Sequence, residues 1–588
     1  MSSPAARPPR RAVALAPPVI AVAVLLATLA LVSAGCGSSS GTGTSADPAA
    51  AVPASAALFA GATVRPGGAQ KTAALAAGKA LTGQANPYLR LLQVLQVPGS
   101  PALSFKRDVA GWLGPHAGVF LSSLGSSGRL LGLLQQGLLG GSSSGAAAFP
   151  FGAGGAQGAI VLDTSDAAKA RSFLDGAARH AGAHATTYRG VSYQAASGGL
   201  ALGLVGRFAV IGSEAGMHGV IDTTLGGPPL ARASGYSTLL SAAPPGALAH
   251  VYANAGSLSA GGAPQEGSGL LQLLAGAHDA NISLVPAAGS IALDVDALAG
   301  GPAGAAHSPA GSAGGLLSSG AEGAQALGEL PGESWLAVGL GHAGGSLGAD
   351  VQGLQALASL GSTGPQASAS PGLSVKGLFE GLLTPLRELG AGSAQARHDF
   401  ASWMGSAGVF ASGASLLELR AAVVIASQNP ALSRAAVGKL GAQLRKAGGS
   451  VSPVSIAGAD AAIGVRLAGL PVELDIADGR DAGGHTKFVL GLGQASVMTA
   501  LHPPSTLAGA ASYTAAGSAL GEGIKPSLTL DFPTLLGLLE GVGLIEDPTI
   551  SKFVPYLRRA TTLAGGGRSL GGGVERFRLV LGLRPSAG

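Results

Sequence analysis

The chain reads Asp108-Val109-Ala110-Gly111-Trp112-Leu113-Gly114 and continues into Ala117-Gly118-Val119-Phe120. It repeats this phrase as Asp399-Phe400-Ala401-Ser402-Trp403-Met404-Gly405, followed by Ala407-Gly408-Val409-Phe410. The shared pattern is D-x-A-x-W-[LM]-G and then A-G-V-F. Two of the three tryptophans in the chain lie in this phrase, so chance explains the match poorly. The repetition predicts a duplicated domain, with Asp108, Trp112, Asp399 and Trp403 as its structural anchors.

Other segments recur in the same order. The phrase Val52-Pro53 returns as Leu330-Pro331, and Arg207-Phe208-Ala209-Val210 returns as Lys487-Phe488-Val489-Leu490, at separations of 278 and 280 residues. The last apolar run of each copy also corresponds, residues 291–295 in the first and 577–581 in the second. Three shared phrases in one order strengthen the prediction of a duplication.

The first copy predicts the order strand–helix–strand–strand. The apolar run Ala159–Leu162 is typical of a buried strand. A helix follows, capped by Thr164 or Ser165, with Asp166 in its first turn. Residues 187–195 and 200–211 then predict a hairpin around Ser197-Gly198-Gly199.

The second copy carries its own boundary signals. Asn429 predicts a helix cap and Pro430 the first helical position. Leu470–Ile476 alternates between apolar and polar residues, which is typical of a strand with one solvated face. Pro471 within this run predicts an edge position, because proline cannot donate a ladder hydrogen bond.

The N-terminus has the three parts of a secretion signal. Arg7, Arg10 and Arg11 precede the apolar run Val19–Val32, and small residues lead to Cys36. The segment resembles a bacterial lipoprotein signal: Ala34-Gly35-Cys36 fits, whereas Ser33 replaces the usual aliphatic residue. We expect Cys36 to be lipidated, with an uncleaved single-pass signal anchor or simple secretion as the alternatives. Each places the bulk of the protein on the extracytoplasmic side of the cell membrane.

The charge balance and the cysteine count narrow the classes of function that the chain can have. The net charge of +5 includes three arginines of residues 1–35; without them 32 basic residues face 30 acidic ones, a balance of +2. No Lys/Arg cluster is interleaved with aromatic residues, so nucleic acid is not an expected partner. The single cysteine excludes an intramolecular disulfide, and stability must come from the core.

These patterns together predict an α+β protein with two tandem homologous domains, each a mainly antiparallel sheet with helices packed on it. The predicted divisions are a lipoprotein-type signal peptide at 1–36, a flexible tether at 37–51, the first repeat domain at 52–299, a Gly/Ala/Ser-rich linker at 300–326, and the second repeat domain at 327–588.

Several motifs resemble catalytic or binding signatures. The run 141–145 fits G-x-S-x-G, but it lies in a Gly/Ser stretch without the strand and helix that a nucleophile elbow needs. The run 339–344 fits G-x-G-x-x-G but has no acidic residue about 20 positions later. His180 and His184 have the four-residue spacing of helical metal ligands, yet Gly182 separates them at the helix end. We therefore predict no metal or cofactor site.

The acids beside the two tryptophans allow two interpretations. Paired carboxylates can do acid–base chemistry if the fold brings Asp108 and Asp399 together. The favoured interpretation is structural, with each aspartate as a helix N-cap above a buried tryptophan. Tyr236 and Tyr513, which also occupy matching places, are interpreted as structural too.

The order of phrases resembles a known family. The Val52-Pro53 phrase, the Trp112 phrase, the A-G-V-F run, Tyr188-Arg189-Gly190-Val191, and Ser234 with Tyr236 resemble actinobacterial secreted and lipid-anchored proteins grouped as the domain of unknown function family 3352. The resemblance covers about residues 50–585. It implies location and architecture, because the family has no established activity.

Two classes of function remain open from the sequence. The first is a non-catalytic envelope protein, a binding or structural module whose partner is an apolar ligand or another envelope protein. The second is a hydrolase that acts on cell-wall or lipid material through an unrecognised active site. An enzyme requires polar side chains that converge in one cleft, whereas an apolar lining favours binding.

Overall fold

The computed structural model describes most of the chain between residues 45 and 585. The described residues are 45–82, 102–123, 151, 156–254, 257, 277–299, 320–341, 394–415, 417–446, 448–467, 472–541, 543–546, 551 and 553–585. Cys36, the run 141–145, residues 300–319 of the predicted linker, residues 342–344 and Pro471 lie outside them.

Within the described residues, twenty strands form one sheet, and the ladders between these strands are antiparallel. In the first half they are β1 Leu58–Thr63, β2 Leu113–Ser123, β3 Gln157–Thr164, β4 His184–Tyr188, β5 Val191–Ala195, β6 Leu200–Val205, β7 Phe208–Ser213, β8 Ala249–Asn254, β9 Ala277–Ala287 and β10 Ser290–Ala299. In the second half they are β11 Ser334–Leu340, β12 Met404–Ser412, β13 Arg420–Ser427, β14 Ser450–Pro453, β15 Ala459–Arg466, β16 Leu474–Arg480, β17 Thr486–Leu492, β18 Leu528–Asp531, β19 Ala560–Gly571 and β20 Val574–Leu583.

The two halves have the same strand order. From the outer edge inward the first half runs β4-β5-β6-β7-β3-β2-β1-β8-β9-β10, and the second runs β14-β15-β16-β17-β13-β12-β11-β18-β19-β20. The last strands of the two halves, β10 and β20, pair with each other from Ser290↔Gly582 to Leu298↔Val574. The predicted α+β class with antiparallel strands is confirmed.

Eleven α-helices in the described residues cover the sheet. They are α1 Gly68–Thr82, α2 Ala167–His180, α3 Glu214–Thr224, α4 Ser234–Ala242, α5 Gly320–Gly328, α6 Ala394–Ala401, α7 Pro430–Lys446, α8 Gly493–Leu501, α9 Ala511–Leu520, α10 Phe532–Gly541 and α11 Val554–Leu557. One face of the sheet, here the Trp face, buries Trp112 and Trp403 with α2 and α7. The opposite Tyr face is covered by α3 and α4 in the first half, where Tyr236 of α4 is buried, and by α5 and α8 in the second.

The A-G-V-F phrase has a packing explanation. Alternate residues of a strand point to opposite faces, so Ala117 packs on the Trp face while Gly118 and Phe120 lie on the Tyr face. A methyl group at Gly118 would lie 2.9 Å from Pro48 Cβ, and one at Gly408 would lie 2.8 Å from Leu330 Cδ2. Both separations are shorter than a carbon–carbon contact, so glycine is needed where the preceding segment crosses the strand.

Local structure differs from the sequence expectations in the first half. The predicted two-stranded hairpin is four strands, because Arg189-Gly190 and Gly206-Arg207 are tight turns inside the two predicted strands. The helix cap is Asp166, not Thr164 or Ser165: its carboxylate accepts from the backbone N–H groups of Ala168 at 3.1 Å and Lys169 at 3.0 Å.

In the second half one boundary is confirmed and one is wrong. Asn429 caps α7, since its Oδ1 accepts from the Leu432 N–H at 3.2 Å. The strand expected at 470–476 instead begins at Leu474, and β16 lies between β15 and β17 rather than at an edge. The alternating residues 472 and 473 therefore precede the strand.

The expected tether and linker also contain ordered segments. Pro48–Ala50 is a 3₁₀-helix with Pro48 and Ala49 buried, and Asp47 caps it. Residues 45–51 of the expected tether thus lie on the Tyr face of the first half. Helix α5 starts at Gly320, within the last residues of the expected linker, and buries Ala324 and Ala326.

Candidate functional site

Both tryptophans of the repeated phrase are core residues. Trp112 is 2% exposed and Trp403 is 1% exposed. The indole Nε1–H of Trp112 donates to the Asp108 carbonyl oxygen at 2.8 Å, and its ring lies 5.0 Å from that of Phe173. The ring of Trp403 packs on Phe488 at 5.1 Å.

Neither aspartate of the phrase is an N-cap. Asp108 lies inside a short π-helix, Phe105–Val109, where its carboxylate accepts from the Ser104 N–H at 2.7 Å. A hydrogen bond from the Arg107 guanidinium lowers the pKa of Asp108. Asp399 is exposed in the last turn of α6, and its carbonyl oxygen accepts from Ser402 Oγ at 2.8 Å. The expectation of an N-cap at these positions is wrong, because both residues come after a helix has started.

The fold also separates the two aspartates. The strands that follow them, β2 and β12, are nine positions apart in the sheet. At about 4.8 Å per strand, this is roughly 40 Å along the sheet. Paired acid–base chemistry by Asp108 and Asp399 requires contact, which this arrangement does not provide.

The weaker motifs have structural roles where they are described. Gly339 lies in β11, and a methyl group there would overlap the Gly323 carbonyl oxygen of α5. His180 ends α2 with its Nδ1 2.8 Å from the Gly176 carbonyl oxygen, and His184 begins β4. Within the described ranges, no three His, Cys, Asp or Glu side chains converge as a metal-binding group.

The most concentrated charge in the described chain lies where β10 meets β20. We call Asp294, Asp296, Arg576 and Arg578 the Arg–Asp seam. Both aspartates are 0% exposed and Arg576 is 4% exposed. Arg576 donates to the two carboxylate oxygens of Asp296 at 2.6 and 2.8 Å, and Arg578 donates to those of Asp294 at 2.6 and 2.7 Å.

The seam also reaches the helices on the Tyr face. Arg576 donates to the Ala242 carbonyl oxygen at the end of α4 at 2.5 Å, and Arg578 donates to Leu520 at the end of α9 at 3.1 Å. These are corresponding helices of the two halves. Burial raises the pKa of Asp296 although Arg576 opposes the shift. With every carboxylate engaged by a guanidinium, the seam holds the two halves together and has no group left for proton transfer.

A second polar cluster lies on the Tyr face of the first half. His250 Nε2 is 3.0 Å from the hydroxyl of Tyr236, and its ring packs 5.7 Å from Phe59. Gly61 on the neighbouring strand leaves room for the imidazole, since a methyl group there would lie 2.6 Å from His250 Cε1. Desolvation lowers the pKa of His250 to about 4 and raises that of Tyr236. A general base works best when its pKa is near the working pH, so His250 is poorly suited to catalysis at neutral pH.

The second half does not reproduce this cluster. Gly339 corresponds to Gly61 and donates its N–H to Ser527, where the first half has His250. Tyr513 is only partly buried, unlike Tyr236 at 2%. The matching tyrosines are thus structural in different surroundings.

One carboxyl has a pKa in the range of a catalytic acid. Asp475 on β16 is 1% exposed, and one of its oxygens has no hydrogen-bond partner. Burial, assisted by the charge of Glu473, raises the pKa of Asp475 to about 6. Glu473 accepts from Arg466 Nε at 3.0 Å. This pair is the nearest approach to an acid–base arrangement, but Asp475 has almost no contact with solvent.

A shallow hollow, about 300 Å³ when the open solvent above it is included, lies on the Tyr face of the second half. Its walls are mostly small or apolar residues, among them Leu330, Ala407 and Val424, together with Glu329 and Lys487. Lys487 is committed to ion pairs with Asp481 at 3.1 Å and Glu329 at 3.5 Å. The hollow therefore resembles a packing defect between helices more than a cleft with converging reactive groups.

Sequence reasoning missed the seam and the His250 cluster. The signal for the seam was available as Asp294-x-Asp296 and Arg576-x-Arg578, two opposite charge patterns at the period of a strand. The His250 cluster had no pattern of its own, since Gly61, Tyr236 and His250 are far apart in the chain.

The fold and these clusters define an antiparallel α+β protein whose buried charges serve mainly its own structure. The chain matches the family model described as "Protein of unknown function (DUF3352)" over residues 19–463 and belongs to that family. No curated protein and no solved structure was found that matches it. Among the described helices, none has both the length and the apolar character needed to span a bilayer.

Proposed function

We propose that this chain is a non-catalytic interaction or structural module of the cell envelope. It comprises two tandem homologous domains after an N-terminal signal and is held on the outer face of the cell membrane through a lipid on Cys36. The observation that carries the non-catalytic part is the seam, where the buried charges of Asp294, Asp296 and Arg576 are used to join the halves.

The reactive groups support the same proposal. A catalytic set needs a nucleophile or base with a suitable pKa that reaches a shared reacting atom. His250 is a weak base, Asp475 is closed to solvent, and Lys487 is paired with two carboxylates. None of the three lies beside another in a shared cleft.

The position of residues 45–51 supports anchoring close to the membrane. Ser45 follows Cys36 by nine residues, which span at most about 30 Å when extended. Because Pro48 and Ala49 are buried against the first half, a lipid on Cys36 would hold the Tyr face toward the bilayer. The partner is then another envelope protein, since the hollow beside Lys487 is small for an apolar ligand.

The alternative is the hydrolase, and Asp475 beside Glu473 is the observation that favours it. Asp475→Asn would abolish an activity that uses this carboxyl as its acid. Our proposal expects Asp475→Asn to leave every cellular phenotype of the chain intact, with the Arg466→Gln variant as a control for disturbance of Glu473. Loss of phenotype in a variant that folds normally would support the enzyme.

Anchoring is tested by Cys36→Ala. The variant should appear in the soluble fraction or remain unprocessed, whereas wild type partitions with detergent and gains the mass of a lipid. Ser33→Leu, which restores the usual aliphatic residue, serves as the matched control and should process at least as well as wild type. Unchanged membrane retention and mature mass in Cys36→Ala would contradict the lipid anchor.

A further inference from the structure

The two ends of the twenty-stranded sheet differ in how they are protected. In the described residues, β4 and β14 each have a strand neighbour on one side only. Edge strands invite pairing with another chain unless proline, charge or a bulge blocks them. Strand β14 ends at Pro453, whereas β4 reads His184-Ala185-Thr186-Thr187-Tyr188, without proline, acid, lysine or arginine.

The turn after β4 determines which of its backbone groups point outward. Arg189 and Gly190 have φ of 47° and 83°, the positive values of a type I′ turn. In such a two-residue hairpin the flanking pair, Tyr188 and Val191, exchanges backbone hydrogen bonds. Hydrogen-bonded pairs recur every second residue, so Thr186 and His184 also bond to β5. The N–H and C=O groups of Ala185 and Thr187 therefore face the open edge.

The same reasoning shows that β14 is blocked. The Val454 N–H donates to the Ala462 carbonyl oxygen at 3.3 Å, so the residues one and three positions earlier, Pro453 and Val451, face outward. Pro453 has no N–H to donate. Strand β14 therefore offers one outward donor where β4 offers two.

We propose that β4 pairs antiparallel with β4 of a second copy of this chain. With Thr186 on the two-fold axis, Ala185 lies opposite Thr187 of the other copy and Thr187 opposite its Ala185. Each of these is a hydrogen-bonded pair, so the four outward groups of each copy all find partners. Thr186 then lies opposite Thr186 of the other copy. The two form a non-hydrogen-bonded pair, in which threonine side chains interact favourably.

The molecule already contains an association of this kind. Its two halves join by antiparallel pairing of corresponding strands, β10 with β20, centred on Asp294↔Arg578. The two-fold axis that relates two antiparallel strands of this kind is perpendicular to the sheet. Each face of the sheet therefore continues on the same side across the junction. The β4 pair would likewise place both Tyr faces on one side. Resting on the proposed anchor at Cys36, this lets both copies attach to one membrane.

Five paired residues make a small contact compared with the ~1,200–2,000 Å² of standard interfaces. The dimer is therefore weak in dilute solution and forms where the anchor concentrates the chains.

Cross-linking of the full chain in membranes tests the pairing. Thr186→Cys places two thiols across a non-hydrogen-bonded pair, with Cα atoms about 4.5 Å apart, within disulfide range. Thr187→Cys is the matched control, because its copies lie roughly 9 Å apart, beyond that range. Mild oxidation should yield a covalent dimer from Thr186→Cys and none from Thr187→Cys. The wild-type chain, oxidised in the same way, serves as the control for any cross-link formed through Cys36.

A second substitution separates pairing from folding. Ala185→Pro removes an outward N–H that β5 does not use, so the fold is retained. Added to Thr186→Cys, it removes two bonds per dimer and should lower the yield of cross-linked dimer about tenfold or more. Equal cross-linking by the 186 and 187 variants, or full dimer yield with Ala185→Pro, would overturn the proposal. Absence of dimer together with destabilisation by Ala185→Pro would show instead that another segment of the same chain covers β4. A negative cross-link with an intact lipid mass would leave the anchor proposal standing.

Discussion

The Arg–Asp seam makes a sharp prediction for Asp296→Asn. The substitution keeps the size of the side chain and removes its charge, leaving Arg576 buried beside an amide whose N–H₂ is a competing donor. Arg576 retains Asp294 at 3.5 Å and the Ala242 carbonyl oxygen. Breaking one partner of a buried pair typically costs 3–5 kcal/mol, and the remaining contacts place this case near the lower end, at about 3 kcal/mol.

An exposed ion pair provides the matched control. Arg558 and Glu540 lie 3.1 Å apart with side chains that are 58% and 42% exposed. Such pairs contribute about 0–1 kcal/mol, so Glu540→Gln should leave stability almost unchanged. Urea unfolding followed by tryptophan fluorescence compares the two variants, because each half contains buried tryptophan: Trp112 in the first, Trp335 and Trp403 in the second.

A double variant tests the mechanism of the loss. Replacing both partners, as in Asp296→Leu with Arg576→Met, removes the uncompensated charge and should recover much of the stability. If Asp296→Asn is as stable as Glu540→Gln, or if the double variant is the sum of two losses, the seam does not hold the halves as argued.

Two further predictions concern the cores of the halves and the His250 cluster. Trp112→Ala and Trp403→Ala should each cost about 3–5 kcal/mol, against about 0.5–1.5 kcal/mol for Asp108→Ala, which loses the hydrogen bond from the Ser104 N–H. Asp399→Ala, at an exposed residue, should cost less than either tryptophan, and thermal melting of the four variants decides the order. For His250 the folded pKa of about 4 lies below the ordinary 6.5, so its neutral form stabilises the fold fully above pH 6.5, and up to roughly 3 kcal/mol is lost as the pH falls toward 4. The difference in unfolding free energy between wild type and His250→Gln should shrink over that interval, and a constant difference would contradict the burial of the imidazole.

Local patterns predicted much of the fold. The strand at 159–162, the helix that follows Pro430 and the burial of both tryptophans needed only neighbouring residues, and each agrees with the structure. The turn at Arg189 was missed because arginine rarely adopts positive φ. Because this turn was missed, residues 187–195 were predicted as one continuous strand.

The junction of the halves needed information that no short segment carries. Arg576 and Asp296 are 280 residues apart, and each lies in a strand made mostly of apolar residues. Corresponding strands were identified from the sequence, but correspondence does not imply pairing. Only the completed sheet places the two charge patterns opposite each other.

The long stretch of chain between β10 and β20 has a consequence for synthesis. Strand β10 is complete at Ala299, yet its partner is made only after residue 574. Throughout that interval β10 is an open edge of a growing sheet, the kind of surface that draws in neighbouring nascent chains. Asp294 and Asp296 then project from this edge as unpaired, solvated charges, which repel a second unfinished chain of the same kind. The carboxylates that later pair with Arg576 and Arg578 thus first oppose association at the open edge, until β20 has been synthesised.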